Sequence, residues 1–243
     1  MIYKARKGQV SSGEAIGILL LDTCVPFIPG DVANATTYAF PVRFQKVRGF
    51  TVARALKKDP AVFDALLRAA KSLECQGVRA ITGDCGFMGI HQRNLAGALD
   101  IPVFLSSLIQ IPFIGTLIGP DAKVGVITAD SESLNADLLT AVGVSDSSNL
   151  VITGLQDQPG FSSFALEETG VLDTDAVAAE VVAAAKRMVA DHQQVRALLL
   201  ECSLLPPYGA AIQAAVNLPV FDYITMINFI FSAVVKQEYK GFL

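Results

Sequence analysis

The sequence predicts an α/β protein built as two pseudo-symmetric, doubly wound parallel-sheet halves with the active site in the cleft between them. Two observations carry this. Short β-branched runs alternate with longer helical patterns along the whole chain, which is the rhythm of βαβ units. A set of short segments also recurs at equal offsets in the two halves, the mark of an internal repeat.

Taken in order, Ile16 to Leu21, Val78 to Thr82, Val103 to Leu105, Val124 to Thr128, Leu150 to Thr153, Ala197 to Leu200 and Val220 to Tyr223 read as strands. They are short and continuously apolar, as buried parallel strands are. Pro60 to Cys75 and Asp175 to Asp191 are the clearest helices. In the second, Val177, Val181, Val182, Ala185, Met188 and Val189 fall on one face, and Asp173 or Thr174 can cap it. The uncharged run Ile101 to Pro120 contains Pro102, Pro112 and Pro120 with Ser106, Ser107 and Gln110, so it reads as a buried strand followed by a helix rather than a membrane span. Thr23 to Gly49 reads as a long, insertion-like loop. Within it, Arg43, Lys46 and Arg48, continuing to Arg54, Lys57 and Lys58, suit a solvated edge strand and a helix start, with an anion-attracting rim near a substrate as the alternative.

The repeat fixes the organisation. Val78-Arg79-Ala80 begins seven residues before Cys85, and Val195-Arg196-Ala197 begins seven before Cys202. Pro102-Val103-Phe104 begins seventeen after the first cysteine and Pro219-Val220-Phe221 seventeen after the second. Gly17 and Asp22 are spaced like Gly125 and Asp130, and an acid, Asp84 or Glu201, directly precedes each cysteine. These anchors divide the chain into a first half, 1–119, joined by a C-terminal helix at 225–243, and a second half, 120–224, with Gly119-Pro120-Asp121 as the join.

Composition narrows the class. Of 243 residues 52% are hydrophobic, enough for a sizeable core, and the mean hydropathy of +0.47 is why a membrane reading needs testing at all. Net charge is −4 with both signs scattered, which leaves no footprint for nucleic acid. Met1 to Val10 carries basic residues but leads into only a short apolar strand, with no visible export signal, so a cytoplasmic location is expected. Four cysteines without paired spacings then read as reduced thiols rather than a disulfide framework. The two histidines, His91 and His192, have no cysteine at ligand spacing, which argues against zinc. The high apolar content is compatible with a homodimer.

Cys85 and Cys202 both fall where a strand gives way to a helix, the place where a doubly wound unit binds its ligand. Two thiols facing one cleft from opposite sides are the geometry of two-base stereoinversion. One removes the proton α to a carboxylate or carbonyl while the other protonates the opposite face, and a thiol's ordinary pKa of about 8.5 keeps both forms in reach. Neither a metal nor pyridoxal is demanded, and the partner is a small carboxylate or carbonyl compound. Cys75 is assigned to packing. Cys24 reads equally as packing or as a peripheral thiol, and His91 is expected to face away from Cys85.

The halves, Gly83-Asp84-Cys85-Gly86 and Leu200-Glu201-Cys202-Ser203, resemble the aspartate/glutamate racemase superfamily, which includes hydantoin racemases and arylmalonate decarboxylases. The resemblance spans nearly the whole chain. It implies an isomerase in which Cys85 and Cys202 are the catalytic acid/base pair, Asp22 and Thr23 line the site, and Gly86, Phe87 and Ser203 hold the substrate carboxylate. Gly86-Phe87 replaces the Asn-Thr usual in the amino-acid racemases, and Ser203 replaces a threonine, which favours an acid larger or more apolar than aspartate or glutamate. In the long loop, Pro29-Gly30-Asp31 and Asn34 are placed at the substrate by position alone. Two alternatives stand beside the racemase: a one-cysteine isomerase or decarboxylase of the same superfamily, and a non-catalytic protein that binds small acids.

Overall fold

The computed structural model describes residues 2, 4 and 7–242. The basic N-terminal stretch therefore lies partly outside the described residues, as does the last residue of the expected C-terminal helix. The first sheet contains β1 (Ile16–Leu20), β2 (Val42–Lys46), β3 (Ala80–Gly83) and β4 (Val103–Phe104) in the order β2-β1-β3-β4, with every pairing parallel. The helices α1 (Val52–Leu56) and α2 (Phe63–Cys75) join β2 to β3, and α3 (Gln92–Ala96) joins β3 to β4. The helix α4 (Ile111–Ile118) then leads to the second half.

That half contains β5 (Lys123–Thr128), α5 (Ala136–Ala141), β6 (Leu150–Gly154), α6 (Pro159–Ala165), α7 (Thr174–Asp191), β7 (Val195–Leu200), α8 (Gly209–Val216) and β8 (Val220–Phe221), followed by α9 (Tyr223–Val234). Its sheet order, β6-β5-β7-β8, copies the first, again all parallel. The matched glycines explain part of the repeat. A Cβ on Gly17 would press on Leu73 of α2 at 3.0 Å, and one on Gly125 on Leu198 at 2.6 Å, with Met188 of α7 closer still. At each glycine the covering helix sits directly on the sheet.

Two expectations are corrected here. The segment from Thr23 to Gly49 is not wholly a loop, because it ends in β2, the edge strand that Arg43 and Lys46 suited, which pairs along its length with β1 from Ile16↔Val42 to Leu20↔Lys46 and matches β6 of the other half. Its alternating Val-Arg-Phe-Gln-Lys pattern is that of an edge strand, with Val42 and Phe44 packed on the α9 side and Arg43 on the opposite face, paired with Glu14 at 2.8 Å. The final helix stops at Val234 rather than running from 225 to 243. Beyond it the described chain is irregular, and Tyr239 and Phe242 are fully exposed.

One hydrophobic core runs through both halves, and a smaller one joins Ile16, Ile18, Ala80 and Phe104 to Tyr223, Met226 and Ile227 of α9. Tyr223 is fully buried and donates its hydroxyl to the Leu105 carbonyl at 2.7 Å, so a large aromatic ring is buried without orphaning its polar end. The run from Ile101 to Pro120 is strand β4 followed by helix, and among the described residues no helix is long and apolar enough to cross a membrane.

Candidate active site

Each strand-to-helix junction delivers one thiol. β3 ends at Gly83, and Cys85 precedes a 3-10 helix at Gly86–His91 in extended conformation. β7 ends at Leu200, and Cys202 lies two residues on, before a 3-10 turn at Pro206–Tyr208. Both cysteines line one cavity between the sheets. Leu21, Thr23, Val25 and Phe27 wall it from the segment after β1, Val52 and Leu56 from α1, and Ala165 and Leu166 from the end of α6. The walls are mostly apolar, so polar groups inside are poorly screened.

Both thiols titrate above their ordinary range. For Cys85 burial is the main cause, followed by the charges of Glu201 and Asp84, against which the N–H groups of Phe87 and Met88 act. For Cys202 burial again leads, then Glu201, with the Leu204 N–H opposing. A thiolate in this cavity therefore needs a compensating positive charge.

Three carboxyls share the interior. Asp84 accepts the Leu21 N–H with both oxygens, at 2.9 and 3.2 Å, and burial raises its pKa to about 7. Glu201 is fully buried. Its Oε2 accepts from Thr128 Oγ1 at 2.8 Å, while Oε1 has no partner, and burial raises this group too to about 7. Asp31 sits behind the cavity, accepts the Ala33 N–H at 3.1 Å, and is raised to about 8, first by burial and further by Asp84. Among the residues lining the cavity there is no lysine, arginine or histidine. Among the described residues no group of three or more potential ligand side chains is arranged to hold a metal ion.

The structure brings together Cys85, Cys202, Thr23, Gly86, Phe87 and Ser203. Ser203 donates its hydroxyl to the Asp84 carbonyl and so ties the two junctions together. Asp22 and Asn34, expected at the substrate, lie elsewhere. Asp22 is on the outside, bound to Lys46 at 2.7 Å and to the Gly49 N–H at 3.1 Å, because the chain turns outward at the end of β1 to begin the crossover. Asn34 is spent locally, capping the 3-10 turn Ala35–Thr37 and donating to the Phe27 carbonyl at 3.0 Å. Thr23 donates to Glu168, which also accepts the Cys24 N–H at 3.0 Å, so a loop of the second half clasps the segment over the cavity. Cys75 is exposed rather than packed, at the last position of α2 on its outer side, and Cys24 is exposed as well. His91 packs against the rings of Phe50 and Phe63, at 6.0 and 5.8 Å between centroids, and does not line the cavity.

The acids are what reading residue by residue underrated. Asp84 and Glu201 were visible as the residues before each cysteine, but nothing local says that both side chains turn inward. Asp31 is reached only through the fold of the segment between β1 and β2.

No family model matches the chain. Among curated proteins it is 35% identical over 237 residues to dimethylsulfoniopropionate lyase 7 of Emiliania huxleyi (strain CCMP1516), covering 93% of this chain and 69% of that protein. It is 32% identical over 234 residues to the dimethylsulfoniopropionate lyase of Durusdinium sp. clade D, covering 93% and 77%. Among solved structures, allantoin racemase from Pseudomonas fluorescens superposes with a TM-score of 0.63 at 16% identity over 91% of both chains. Glutamate racemase isoform RacE1 from Bacillus anthracis gives 0.60 at 14%, covering 92% of this chain and 85% of that one. A mutant of arylmalonate decarboxylase in a sulfate-associated form gives 0.59 at 15%, over 92% and 95%. The structural likenesses establish the racemase-type two-sheet fold. The sequence relatives correct the expected activity: they are lyases, so the two-base racemase reading is overturned, and the one-cysteine isomerase or decarboxylase alternative fits them better. The error has a physical source, since a thiol poised over an acidic C–H serves inversion and elimination alike, and the cysteine motifs say nothing about a leaving group.

Proposed function

The chain belongs to the dimethylsulfoniopropionate lyase family, and we propose on that premise that it cleaves a small sulfonium carboxylate of the dimethylsulfoniopropionate type by β-elimination. A cavity thiolate, from Cys85 or Cys202, takes a proton from the carbon α to the carboxylate. The electrons of that C–H bond form the new double bond, the β-carbon–sulfur bond breaks, and its electron pair stays on sulfur. Dimethyl sulfide and acrylate result, and the thiol returns its proton to water. The leaving group departs neutral, so it needs no acid, and one thiol suffices for the chemistry. The second is then free to hydrogen-bond the substrate's carboxylate, which is assigned to the backbone around Gly86 and Ser203.

The observation that carries the reading is the charge pattern of the cavity. Two thiols, Asp84 and Glu201 line it, and no basic side chain does. Such a site repels a plain anion and favours a molecule with a fixed cation. A bound sulfonium also supplies the positive charge that lowers the thiols toward neutrality, so the base becomes competent when substrate is present. Thr23, Phe27 and Phe87 close the space around it. Purified protein incubated with dimethylsulfoniopropionate should release dimethyl sulfide and acrylate in equal amounts, measured by headspace gas chromatography and proton NMR. Accumulation of 3-hydroxypropionate instead, the product of displacement by water, would reject elimination.

A further inference from the structure

We infer that Glu201 is the sulfonium-binding group of this site, with Oε1 as the atom that faces the cation; the inference rests on the elimination reading and assigns within it a role to one of two acids. Both Asp84 and Glu201 line the cavity, but their oxygens are spent differently. Asp84 directs both at the Leu21 N–H, which fixes the turn after β1. Glu201 is held through Oε2, which accepts from Thr128 Oγ1 at 2.8 Å. Oε1 is buried and has no donor.

An unpaired carboxylate oxygen in an apolar cavity is costly unless it takes up a proton or meets a cation. A sulfonium has no N–H or O–H to donate, so it is recognised by charge and by contact with its polarised methyl groups. A carboxylate oxygen without competing donors suits it. The neighbourhood adds no competing positive charge: the titratable groups that act on Glu201 or feel it are Cys85, Cys202, Asp130 and Tyr223. Gly86 explains how the carboxyl reaches the cavity from the second half. A Cβ there would stand 2.5 Å from Glu201 Cδ and 2.9 Å from the Glu201 carbonyl oxygen, so the acid occupies the space that any larger residue would fill. That packs the Glu201 carboxyl against Gly86, the residue after Cys85, and all three line the cavity.

The test is binding of trimethylsulfonium ion, which carries the charge but no carboxylate and no reactive C–H, followed by NMR titration. Glu201→Gln keeps the size and the acceptor for Thr128 while turning an amide toward the cavity, and should weaken binding at least about tenfold, from the Coulomb attraction lost in a poorly screened site. Glu201→Asp should recover part of it, and Asp84→Asn, if folded, should weaken binding less than Glu201→Gln does. Unchanged binding in Glu201→Gln, or a loss confined to Asp84→Asn, overturns the assignment. If neither Glu201 variant folds, the wild-type protein decides: it should prefer dimethylsulfoniopropionate over the neutral thioether 3-(methylthio)propionate at least about tenfold, and equal binding overturns the inference. The two readings fail separately. Trimethylsulfonium binding that depends on Glu201 without any release of dimethyl sulfide sinks the lyase and leaves the subsite, whereas undiminished release by Glu201→Gln does the reverse.

Discussion

Replacing Gly86 with alanine adds one methyl group at the most crowded point of the site. The new carbon would overlap Glu201 Oε1 outright and lie 2.5 Å from Glu201 Cδ and 2.9 Å from its carbonyl oxygen, against 3.4 Å for ordinary contact, so the carboxyl must retreat by more than about 0.9 Å and the backbone by about 0.5 Å. Neither moves freely, because Thr128 holds Oε2 at 2.8 Å and Ser107 donates to the Glu201 carbonyl at 3.2 Å. Overpacking of this kind costs roughly 1–3 kcal/mol. At this chain length each kcal/mol lowers Tm by about 2–4 °C, giving a depression of roughly 2–12 °C. A displacement near 1 Å at a catalytic centre costs on the order of 100-fold in rate. Circular-dichroism melting and dimethyl sulfide release would be measured on the same preparation. Gly115→Ala in α4 serves as control, since a Cβ there meets nothing within 4 Å and should leave Tm unchanged or raised. A Gly86→Ala protein that melts within about 1 °C of wild type and keeps its kcat/KM would refute the packing of Glu201 against Gly86.

Three further outcomes are expected. Cys85→Ser and Cys202→Ser should separate: loss of the base removes on the order of 1000-fold or more in kcat, while loss of the other thiol costs about 10–100-fold, and two variants with unimpaired release would remove thiols from the chemistry. Burial raises Asp31 to about 8, so the folded chain holds a proton that the unfolded chain gives up near pH 4. Stability from that neutral acid is therefore complete at low pH and is lost as pH rises through about 8. Asp31→Asn should flatten the decline of Tm with pH across that window, and an unaltered profile would count against a buried neutral Asp31. Glu168→Ala cuts the clasp on Thr23 and Cys24. It should raise KM with little change in kcat and speed limited proteolysis of the segment before β2, whereas a change in kcat alone would place Glu168 in the chemistry instead.

Much of the fold was legible because a parallel sheet advertises itself in buried β-branched strands, and because equal offsets around Cys85 and Cys202 exposed the repeat. β2 was legible only through the charges of Arg43 and Lys46, which suit an edge strand, because its order comes from pairing with β1 rather than from an apolar run of its own. The C-terminal helix was placed too long because the apolar stretch of α9 supplies its signal, and that signal ends at Val234. At the site, Thr23, Gly86, Phe87 and Ser203 were reachable through a family motif. Asp22 was misplaced by the same route, since one residue of chain turn decides whether a side chain at a strand end faces the cavity or Lys46. The activity was misread at the most informative residues. In the proposed elimination the cysteines supply the base and Glu201 reads the leaving group, and the inward direction of Glu201 depends on Thr128 and on the absence of a side chain at Gly86.

The central claim is that a cavity thiolate removes the α-proton of a sulfonium carboxylate. It is tested most directly by comparing kcat/KM for dimethylsulfoniopropionate with that for the same compound deuterated at the α-carbon, in wild type and in both cysteine variants. The account predicts a normal primary isotope effect in wild type, with acrylate and dimethyl sulfide formed together and release collapsing in at least one variant. Equal rates for the two isotopologues, with release surviving in both variants, would contradict it.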